Sequence, residues 1–296
     1  MRFLGSLIIL LFALRLNAAP TQKHFGQLKD EQIFKDYAVR IYQNDLDTTN
    51  DAPDYACFEI LRSGKQVYFK TGFKFVVGDF FDEGKTNVFF KIGHCLTKDK
   101  QPNLVFSEWC GGAHCCYTFH IFQIGDTFKL MESIDLQNSS GSFKDLRRDG
   151  NLELVIQDWT FQYWNACFAE SFAPDVILRY VSGKYRPDLE LMKKLAPTKQ
   201  ALVKSASEFK PMFASKDVKG DPNNNLQIPP RLWGKMLDLI YSGNMDSAWK
   251  LCELSWPANH PGKALFLKEF IKQLQTSPYY NDINQTSFQG ATVPKS

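Results

Sequence analysis

The alternation of apolar and polar residues predicts a central β region from Tyr55 to Pro187. Within it, apolar residues recur at every second position, which is typical of strands with one buried face. Three strand-turn-strand patterns stand out, each with a glycine in its turn, and these glycines are about 60 residues apart. They are Cys57–Phe69 around Gly64, Phe119–Ile134 around Gly125 and Val176–Arg186 around Gly183. The patterns predict three β-hairpins.

The segment before the β region has a different spacing. Apolar residues recur there at intervals of three and four, which predicts an amphipathic helix over residues 26–44 with Asp30 as its cap. The residues on the apolar side are Ile33, Phe34, Tyr37, Ala38, Ile41 and Tyr42. A loop rich in Asp, Asn and Thr follows, so residues 19–54 are predicted to be an N-terminal helix and loop.

Helical spacing returns after Pro187. Residues 231–241 and 246–255 each present one apolar face, and the turn between them contains Gly243. This pair is typical of a helical-repeat hairpin, as in adaptor modules, and also of ordinary packed helices. We therefore predict a β-repeat domain over 55–187, a helical domain over 188–280 and a disordered tail over 281–296.

The first eighteen residues have the anatomy of an export signal. Arg2 precedes an apolar run from Leu4 to Leu14, and Ala18 offers a small residue for cleavage ahead of Pro20. The run is shorter than the roughly 20 apolar residues of a membrane-spanning helix. We therefore expect a soluble periplasmic or secreted protein without a transmembrane anchor.

Charge and composition narrow the functional classes. Removal of Arg2 and Arg15 leaves 33 basic against 32 acidic residues, so no strongly basic balance points to a nucleic-acid partner. The common hydrolase and phosphate-binding signatures G-x-S-x-G, H-E-x-x-H and G-x-x-x-x-G-K-[ST] are absent. The sequence therefore favours a protein that is not an enzyme, without deciding the question.

Seven cysteines would meet an oxidising compartment after export, where disulfides persist. Six of them lie in the β region and are disulfide candidates, with the pairing left open: Cys57, Cys95, Cys110, Cys115, Cys116 and Cys167. A zinc or copper site with His94 and His114 is the alternative, although the spacing matches no common metal motif. Adjacent Cys115 and Cys116 on a strand would point to opposite faces. Cys252, on an apolar helix face, is expected to be a buried thiol.

Two Asp-Gly loops repeat between the predicted hairpins, each followed by an apolar run that predicts a strand. The second places oxygen-bearing side chains at positions 1, 5, 7 and 9 of a calcium-type loop, namely Asp145, Asp149, Asn151 and Glu153. Position 3 is Arg147, whose guanidinium would take the place of the ion by pairing with these acids. The first loop retains Asp79, Glu83 and Asn87 but has Phe81 at position 3. We expect structural turns and keep calcium as the alternative cofactor.

A dense aromatic run follows the second loop. Trp159, Phe161 and Tyr163 alternate, which predicts a strand with an aromatic core face. The alternative is an exposed platform for a sugar or a peptide, formed by Trp159, Phe161, Tyr163 and Trp164 together with His114.

These motifs carry a family resemblance. The Asp-Gly loops look like degenerate repeats of the FG-GAP or VCBS type found in integrin-like β-propellers. The GGAHCC string at 111–116, DWTFQYWN at 158–165 and LWGKMLDLIYSGN at 232–244 resemble a family of uncharacterised exported bacterial proteins. The resemblance implies blade-like β units and brings no known activity.

Together these observations predict an α+β fold. It comprises an N-terminal helix, a disulfide-stapled antiparallel β region of about two propeller-blade-like repeats, and a C-terminal helical domain. The expected function is binding or scaffolding, with a protein or glycan as the ligand. The alternative is a cell-envelope hydrolase whose Cys, His or carboxylate groups are scattered along the chain.

Overall fold

The computed structural model describes residues 26–44, 56–81, 88–113, 115–214 and 228–287. In these residues the chain forms twelve β-strands and six α-helices, a mixed α and β fold. It divides into two compact units, residues 1–71 and residues 72–296. The predicted export signal lies outside the described residues, and so does His114.

The first unit contains a four-stranded antiparallel sheet with its strands in chain order. Its strands are β1 (Gln27–Phe34), β2 (Tyr37–Gln43), β3 (Ala56–Arg62) and β4 (Lys65–Gly72). Tyr37, Val39 and Ile41 on β2 are buried. They alternate with less buried neighbours, as expected where one face of a strand is covered.

The helix predicted over residues 26–44 is wrong, because this segment is the hairpin β1–β2. Tyr37 and Ile41 are four residues apart, a spacing that puts two side chains on one face of either a helix or a strand. Ile33, which the helix would have buried, is 70% exposed. Glu31 and Arg40 lie opposite each other across the hairpin, with Arg40 Nε 2.6 Å from Glu31 Oε1.

The second unit contains two more four-stranded antiparallel sheets. The second sheet consists of β5 (Lys74–Val77), β6 (Asn103–Trp109), β7 (Tyr117–Ile124) and β8 (Phe128–Gln137). The third consists of β9 (Ser142–Lys144), β10 (Glu153–Gln157), β11 (Asp175–Val181) and β12 (Lys184–Pro187). In both sheets, neighbouring strands follow the chain order.

The three hairpins predicted from the turn glycines are confirmed as β3–β4, β7–β8 and β11–β12. The turns Ser63–Gly64 and Ser182–Gly183 both have two positive φ angles, from 49° to 87°. That is the backbone of the type I′ turn, which matches the twist of the strands it joins. Each hairpin forms the third and fourth strands of its own sheet.

The helices follow the third sheet. They are α1 (Leu189–Met192), α2 (Lys199–Phe209), α3 (Pro230–Tyr241), α4 (Met245–Ser255), α5 (Lys263–Leu274) and α6 (Tyr280–Ser287). The predicted helix pair is confirmed as α3–α4, and the turn between them places Gly243 at φ +76°. Residues 281–287 were expected in a disordered tail, but they belong to α6, where Ile283 is buried.

One hydrophobic core spans the second unit. It joins Phe119 of the second sheet and Leu154 of the third sheet to Trp233 of α3 and Phe270 of α5, all of which are fully buried. The predicted boundary at residues 187 and 188 therefore does not separate two cores. No helix among the described residues is long and apolar enough to cross a membrane.

A buried carboxylate connects the third sheet to the helices. Asp158, directly after β10, is 1% exposed and accepts hydrogen bonds from Tyr241 Oη and Ser277 Oγ, both at 2.6 Å. Its other oxygen accepts from the backbone N–H and hydroxyl of Thr160. Burial, followed by the nearby carboxylate, raises the pKa of Tyr241, so its hydroxyl remains a donor. Four hydrogen bonds thus replace the water that Asp158 loses.

We expect Asp158→Ala to lower the free energy of unfolding by about 1–3 kcal/mol, because the buried hydroxyls of Tyr241 and Ser277 lose their carboxylate acceptor. Urea denaturation followed by circular dichroism measures this loss. Asp126→Ala, in the exposed turn of β7–β8, is the matched control and should change stability by less than about 0.5 kcal/mol. Equal effects of the two substitutions would contradict the role of Asp158.

Candidate functional site

The aromatic run after Asp158 forms a loop. The predicted strand over 159–163 is wrong, because residues 160–165 form consecutive turns with positive φ at Tyr163 and Asn165. Phe161 is buried, and its ring centroid lies 5.8 Å from that of Trp233 and 5.1 Å from that of Phe270. Phe161 is therefore a core residue because it packs against α3 and α5, and not because it lies on a strand.

The other aromatic side chains of this loop divide between core and surface. Trp164 packs at 5.5 Å, edge to face, on Trp233. Trp159 stacks at 5.4 Å on Phe168, and Tyr163 contacts the same phenylalanine at 5.7 Å. Tyr163 is 53% exposed. The platform expected from Trp159, Phe161, Tyr163 and Trp164 is thus divided, with only one of its rings largely open to solvent.

A groove lies where this loop ends. We call it the α3 groove; it has a volume of about 870 Å³ between residues 169–172, the end of α2 and the start of α3. Its apolar lining includes Phe172, Phe209, Met212, Pro229, Pro230 and Gly234. Phe172 can pack closely on α3 because residue 234 is glycine: a Cβ there would lie 3.1 Å from the Cβ of Phe172. A second cavity of about 320 Å³ shares Phe172 and Asp238 with the groove.

Charged side chains of both signs border the α3 groove. Glu170 and Arg231 are part of the lining. Asp238 pairs with Lys194 and Lys235, and the Nζ atom of each lysine lies 2.7 Å from a carboxylate oxygen of Asp238. Burial by itself would raise the pKa of Asp238. The hydrogen bonds from the two lysines outweigh burial and lower this pKa. Asp238 therefore remains a carboxylate between two ammonium groups.

The sequence offered only weak signals for this groove. The pair Pro229–Pro230 ahead of α3 and the glycine at 234 inside a helix are unusual, but neither identifies the segments that pack beside them. The lining comes from three stretches of chain that are far apart in sequence. The turns at residues 160–165 precede residues 169–172, which line the groove together with residues of α3.

The oxygen-bearing side chains of the second Asp-Gly loop accept hydrogen bonds from protein donors. Both oxygens of Asp145 accept backbone N–H groups, from Asp149 at 3.0 Å and Gly150 at 3.3 Å. Asp149 pairs with Arg179 of β11, whose Nη2 lies 2.6 Å away. Asn151 Oδ1 accepts the backbone N–H of Lys98. These oxygens are directed to separate donors, so the loop does not fit Ca²⁺, which needs six to eight converging oxygens.

Two arginines near this loop have different partners. Arg147 was expected to pair with the acids of its own loop, but it forms a bidentate pair with Asp188 outside it. Arg179 instead approaches the loop, and its Nε lies 3.9 Å from Oε1 of the buried Glu153. The other oxygen of Glu153 accepts the backbone N–H of Leu146 at 2.9 Å. The guanidinium of Arg179, on the neighbouring strand β11, thus pairs with the acidic side chains of the loop.

The first Asp-Gly loop is described only in part. Asp79 accepts the backbone N–H of Phe81 at 3.1 Å and that of Gly141 at 3.2 Å. Glu83 and Asn87 lie outside the described residues. The strand expected directly after this loop is instead a 3-10 helix at Val88–Phe90, and β6 begins only at Asn103.

Three polar side chains line up across the second sheet. His120 on β7 is 6% exposed and places Nδ1 2.8 Å from Ser133 Oγ on β8. Its Nε2 lies 2.9 Å from Glu108 Oε2 on β6. The imidazole ring stacks on Phe106 at 4.6 Å. A serine, a histidine and an acid are therefore linked in a row by hydrogen bonds. In Ser-His-Asp proteases, Nε2 of the histidine faces the serine and Nδ1 faces the acid, whereas here the two ring nitrogens are exchanged.

The cysteines form one bridge among the described residues, between Cys110 and Cys116. Cys95, Cys115 and Cys167 are thiols, and Cys57 is buried in β3. The expectation that Cys115 and Cys116 point to opposite faces is wrong, because their sulfur atoms lie 2.8 Å apart. Both precede β7, so strand alternation does not apply to them. The segment Glu108–His120 thus includes the connection between β6 and β7, which are neighbouring strands of one sheet.

The lysine pair around Asp238 predicts a pH effect. A lowered folded-state pKa contributes stability that is present above the ordinary aspartate pKa of about 4 and is lost as pH falls through the folded-state value. We expect Asp238→Asn to make the free energy of unfolding depend less on pH in the acid range. Near neutral pH, the substitution should change this dependence little. Urea midpoints measured between pH 2.5 and 7 test this expectation. An unchanged acid slope would contradict it.

Comparisons with known proteins supply no family. A stretch of 78 residues, 26% of the chain, is 33% identical to "Uncharacterized protein y4bJ" of Sinorhizobium fredii (strain NBRC 101917 / NGR234). That stretch covers only 12% of the bacterial protein. No protein-family model matches the chain, and no solved structure matches it. The chemistry of its own residues is therefore the basis for any functional conclusion.

Proposed function

We propose that the protein is an exported binding or scaffolding protein that holds a polypeptide segment in the α3 groove. The groove carries this proposal: its volume of about 870 Å³ is in the usual range of ligand sites, and its lining is largely apolar. Apolar side chains of a bound polypeptide would cover apolar surface of the groove, such as that of Met212, and remove it from water, which favours binding.

The lining favours a polypeptide over a glycan. Phe172, Met212, Pro229 and Pro230 provide apolar walls suited to aliphatic or aromatic side chains. Glu170 and Arg231 offer charges of both signs to the residues on either side of such an anchor. Sugar binding usually relies on broad open rings, and Trp159 and Phe168 already stack on each other.

We also propose that the sheets are degenerate FG-GAP or VCBS blades in an exported chain. Each sheet is a meander of four consecutive strands, and each repeats the same hairpin at its third and fourth strands. The third sheet carries its Asp-Gly loop between its first and second strands. The Cys110–Cys116 bridge and the apolar run Leu4–Leu14 support export.

Peptide display on the full chain tests the binding proposal. We expect selected peptides to contain one or two large apolar residues beside charged ones. Ala169→Glu should weaken the best peptide at least tenfold, about 1.4 kcal/mol, because the new carboxylate would lose water inside an apolar groove. Ala169 is exposed and lines the groove, so this substitution leaves the core intact. Isothermal titration calorimetry gives the dissociation constants.

Val203→Glu is the matched control, since Val203 is an exposed apolar residue of α2 outside the groove lining. Its dissociation constant should equal that of the unmodified protein. Equal weakening by both substitutions would contradict the groove as the site. Oligosaccharide binding that Ala169→Glu does not affect would move the site to the aromatic loop and its exposed Tyr163.

A hydrolase is the second candidate function, because Ser133, His120 and Glu108 are linked by hydrogen bonds of 2.8 and 2.9 Å. In this candidate His120 would take the proton of the exposed Ser133 hydroxyl, and Glu108 would orient the imidazole.

The hydrolase candidate predicts that a fluorophosphonate probe labels Ser133 in the intact protein. Ser133→Ala should abolish this labelling, and His120→Asn should slow it at least about tenfold, because the general base is lost. Ser207→Ala, at an exposed serine of α2, is the control. A protein that remains unlabelled at Ser133 has a structural network there, and the hydrolase candidate fails.

A further inference from the structure

Three sulfur atoms meet in the loop between β6 and β7. Cys110 and Cys116 form a disulfide, and the Cys115 thiol lies 2.8 Å, sulfur to sulfur, from Cys116. All three sulfur atoms lie within 4.8 Å of one another. Cys110 and Cys115 are exposed, and Cys116 is half-buried. A free thiol therefore stands beside a disulfide in a solvent-accessible loop.

The backbone of the loop holds this arrangement in place. Cys116 has a φ of +66°, in the left-handed region, and its sulfur atom lies 2.8 Å from that of Cys115. The backbone N–H of Cys110 donates to the carbonyl of Cys116 at 3.2 Å. Trp109 Nε1 donates to the carbonyl of Gly112 at 2.9 Å. These two hydrogen bonds therefore hold Cys116 close to Cys110 and Gly112 close to Trp109.

Gly112 provides the space for the sulfur atoms. A Cβ at this position would collide with Cys115 Sγ and would lie 3.2 Å from Cys116 Sγ and 3.6 Å from Cys110 Sγ. All three sulfur atoms thus pack over Gly112, which has no side chain to exclude them. Any larger residue at 112 must displace the Cys115 thiol.

We propose that Cys110, Cys115 and Cys116 form a thiol–disulfide exchange site whose bond migrates within the loop. The Cys115 thiolate attacks Cys116 Sγ, so the Cys115–Cys116 bond forms as the Cys110–Cys116 bond breaks. The electron pair leaves on Cys110 Sγ, which takes up a proton from water to replace the one lost by Cys115. The step has no net oxidation or reduction and needs no other reactant.

Migration transfers the nucleophile from one exposed cysteine to another. The Cys110 thiolate can then attack an accessible disulfide of a second molecule, forming a mixed disulfide and releasing the other half as a thiolate. The reaction partner is therefore a disulfide-containing polypeptide or small molecule. This inference does not depend on the α3 groove.

Two other cysteines provide internal references. Cys167 is an exposed thiol with Glu170 as its neighbour, 3.5 Å away, and it takes part in no disulfide. Cys252 is buried in α4, and burial raises the pKa of its thiol to about 12. Cys167 reports simple accessibility, and Cys252 reports unfolding.

Sequential alkylation of the oxidised, native full chain tests the proposal. Iodoacetamide at pH 8 marks the thiols, and after quenching, reduction and N-ethylmaleimide mark the cysteines that were bonded. Tandem mass spectrometry then assigns the two tags within residues 110–116. We expect chains tagged with iodoacetamide at Cys110 as well as chains tagged at Cys115. A tag found at Cys115 alone, with Cys110 and Cys116 always bonded, overturns the proposal.

Two variants separate exchange from simple exposure of Cys110. Cys115→Ser should reduce the iodoacetamide tag at Cys110 at least about tenfold, because the attacking thiolate is gone. Gly112→Ala should also reduce it, since the Cys115 thiol must move. Cys167→Ser should leave the tag at Cys110 unchanged, and an untagged Cys252 confirms that each variant is folded. An unreduced tag at Cys110 in Cys115→Ser overturns the proposal.

Discussion

The second unit depends on a carboxylate that has exchanged water for protein donors. Asp158 lies at the point where the chain leaves β10, and its partners Tyr241 and Ser277 come from helical parts of the chain more than 80 residues later. Because an unsatisfied buried carboxylate is very costly, the sheet and the helices must dock in the arrangement that supplies these hydroxyls. The hydrogen bonds thus specify the docking as well as stabilising it.

That docking determines the path of the residues that follow Asp158. The loop inserts Phe161 and Trp164 beside Trp233, and the chain then returns along α3 through Phe172. The α3 groove is the space left between this returning segment and the helices. Its wall is therefore supported by the same core that includes Phe161 and Trp233, and this gives a binding surface a rigid base.

The sequence predicted those elements whose signal is local. Ser63–Gly64 and Ser182–Gly183 favour tight hairpins, and the apolar face of α3 ends at a glycine turn. The hairpin β1–β2 was not predicted, because the spacing of Tyr37 and Ile41 fits both a helix and a strand. The burial of Val39, halfway between them, distinguishes the strand from the helix. Propensity and spacing cannot resolve such a case without the neighbouring strand.

The sites were harder to predict because they depend on contacts distant in sequence or on unusual backbone. Residue types alone brought Asp149 and Glu153 together, but Arg179 of another strand determines what they bind. Cys115 and Cys116 were assigned to a strand, and a left-handed φ at Cys116 reverses the conclusion about their side chains. In the α3 groove, the lining residues come from three separate stretches of the chain.

The shared core has a practical consequence for dividing this protein. A fragment beginning at residue 188 would contain α1 to α6 but would lose Asp158, Phe161 and Trp164. Tyr241 would lose its carboxylate acceptor, and Trp233 would lose the rings of Phe161 and Trp164. Such a fragment exposes an apolar surface that the whole chain covers, so it would aggregate rather than fold independently. The helices are therefore the second half of a single cooperative unit, and only a fragment that begins ahead of the second sheet preserves it.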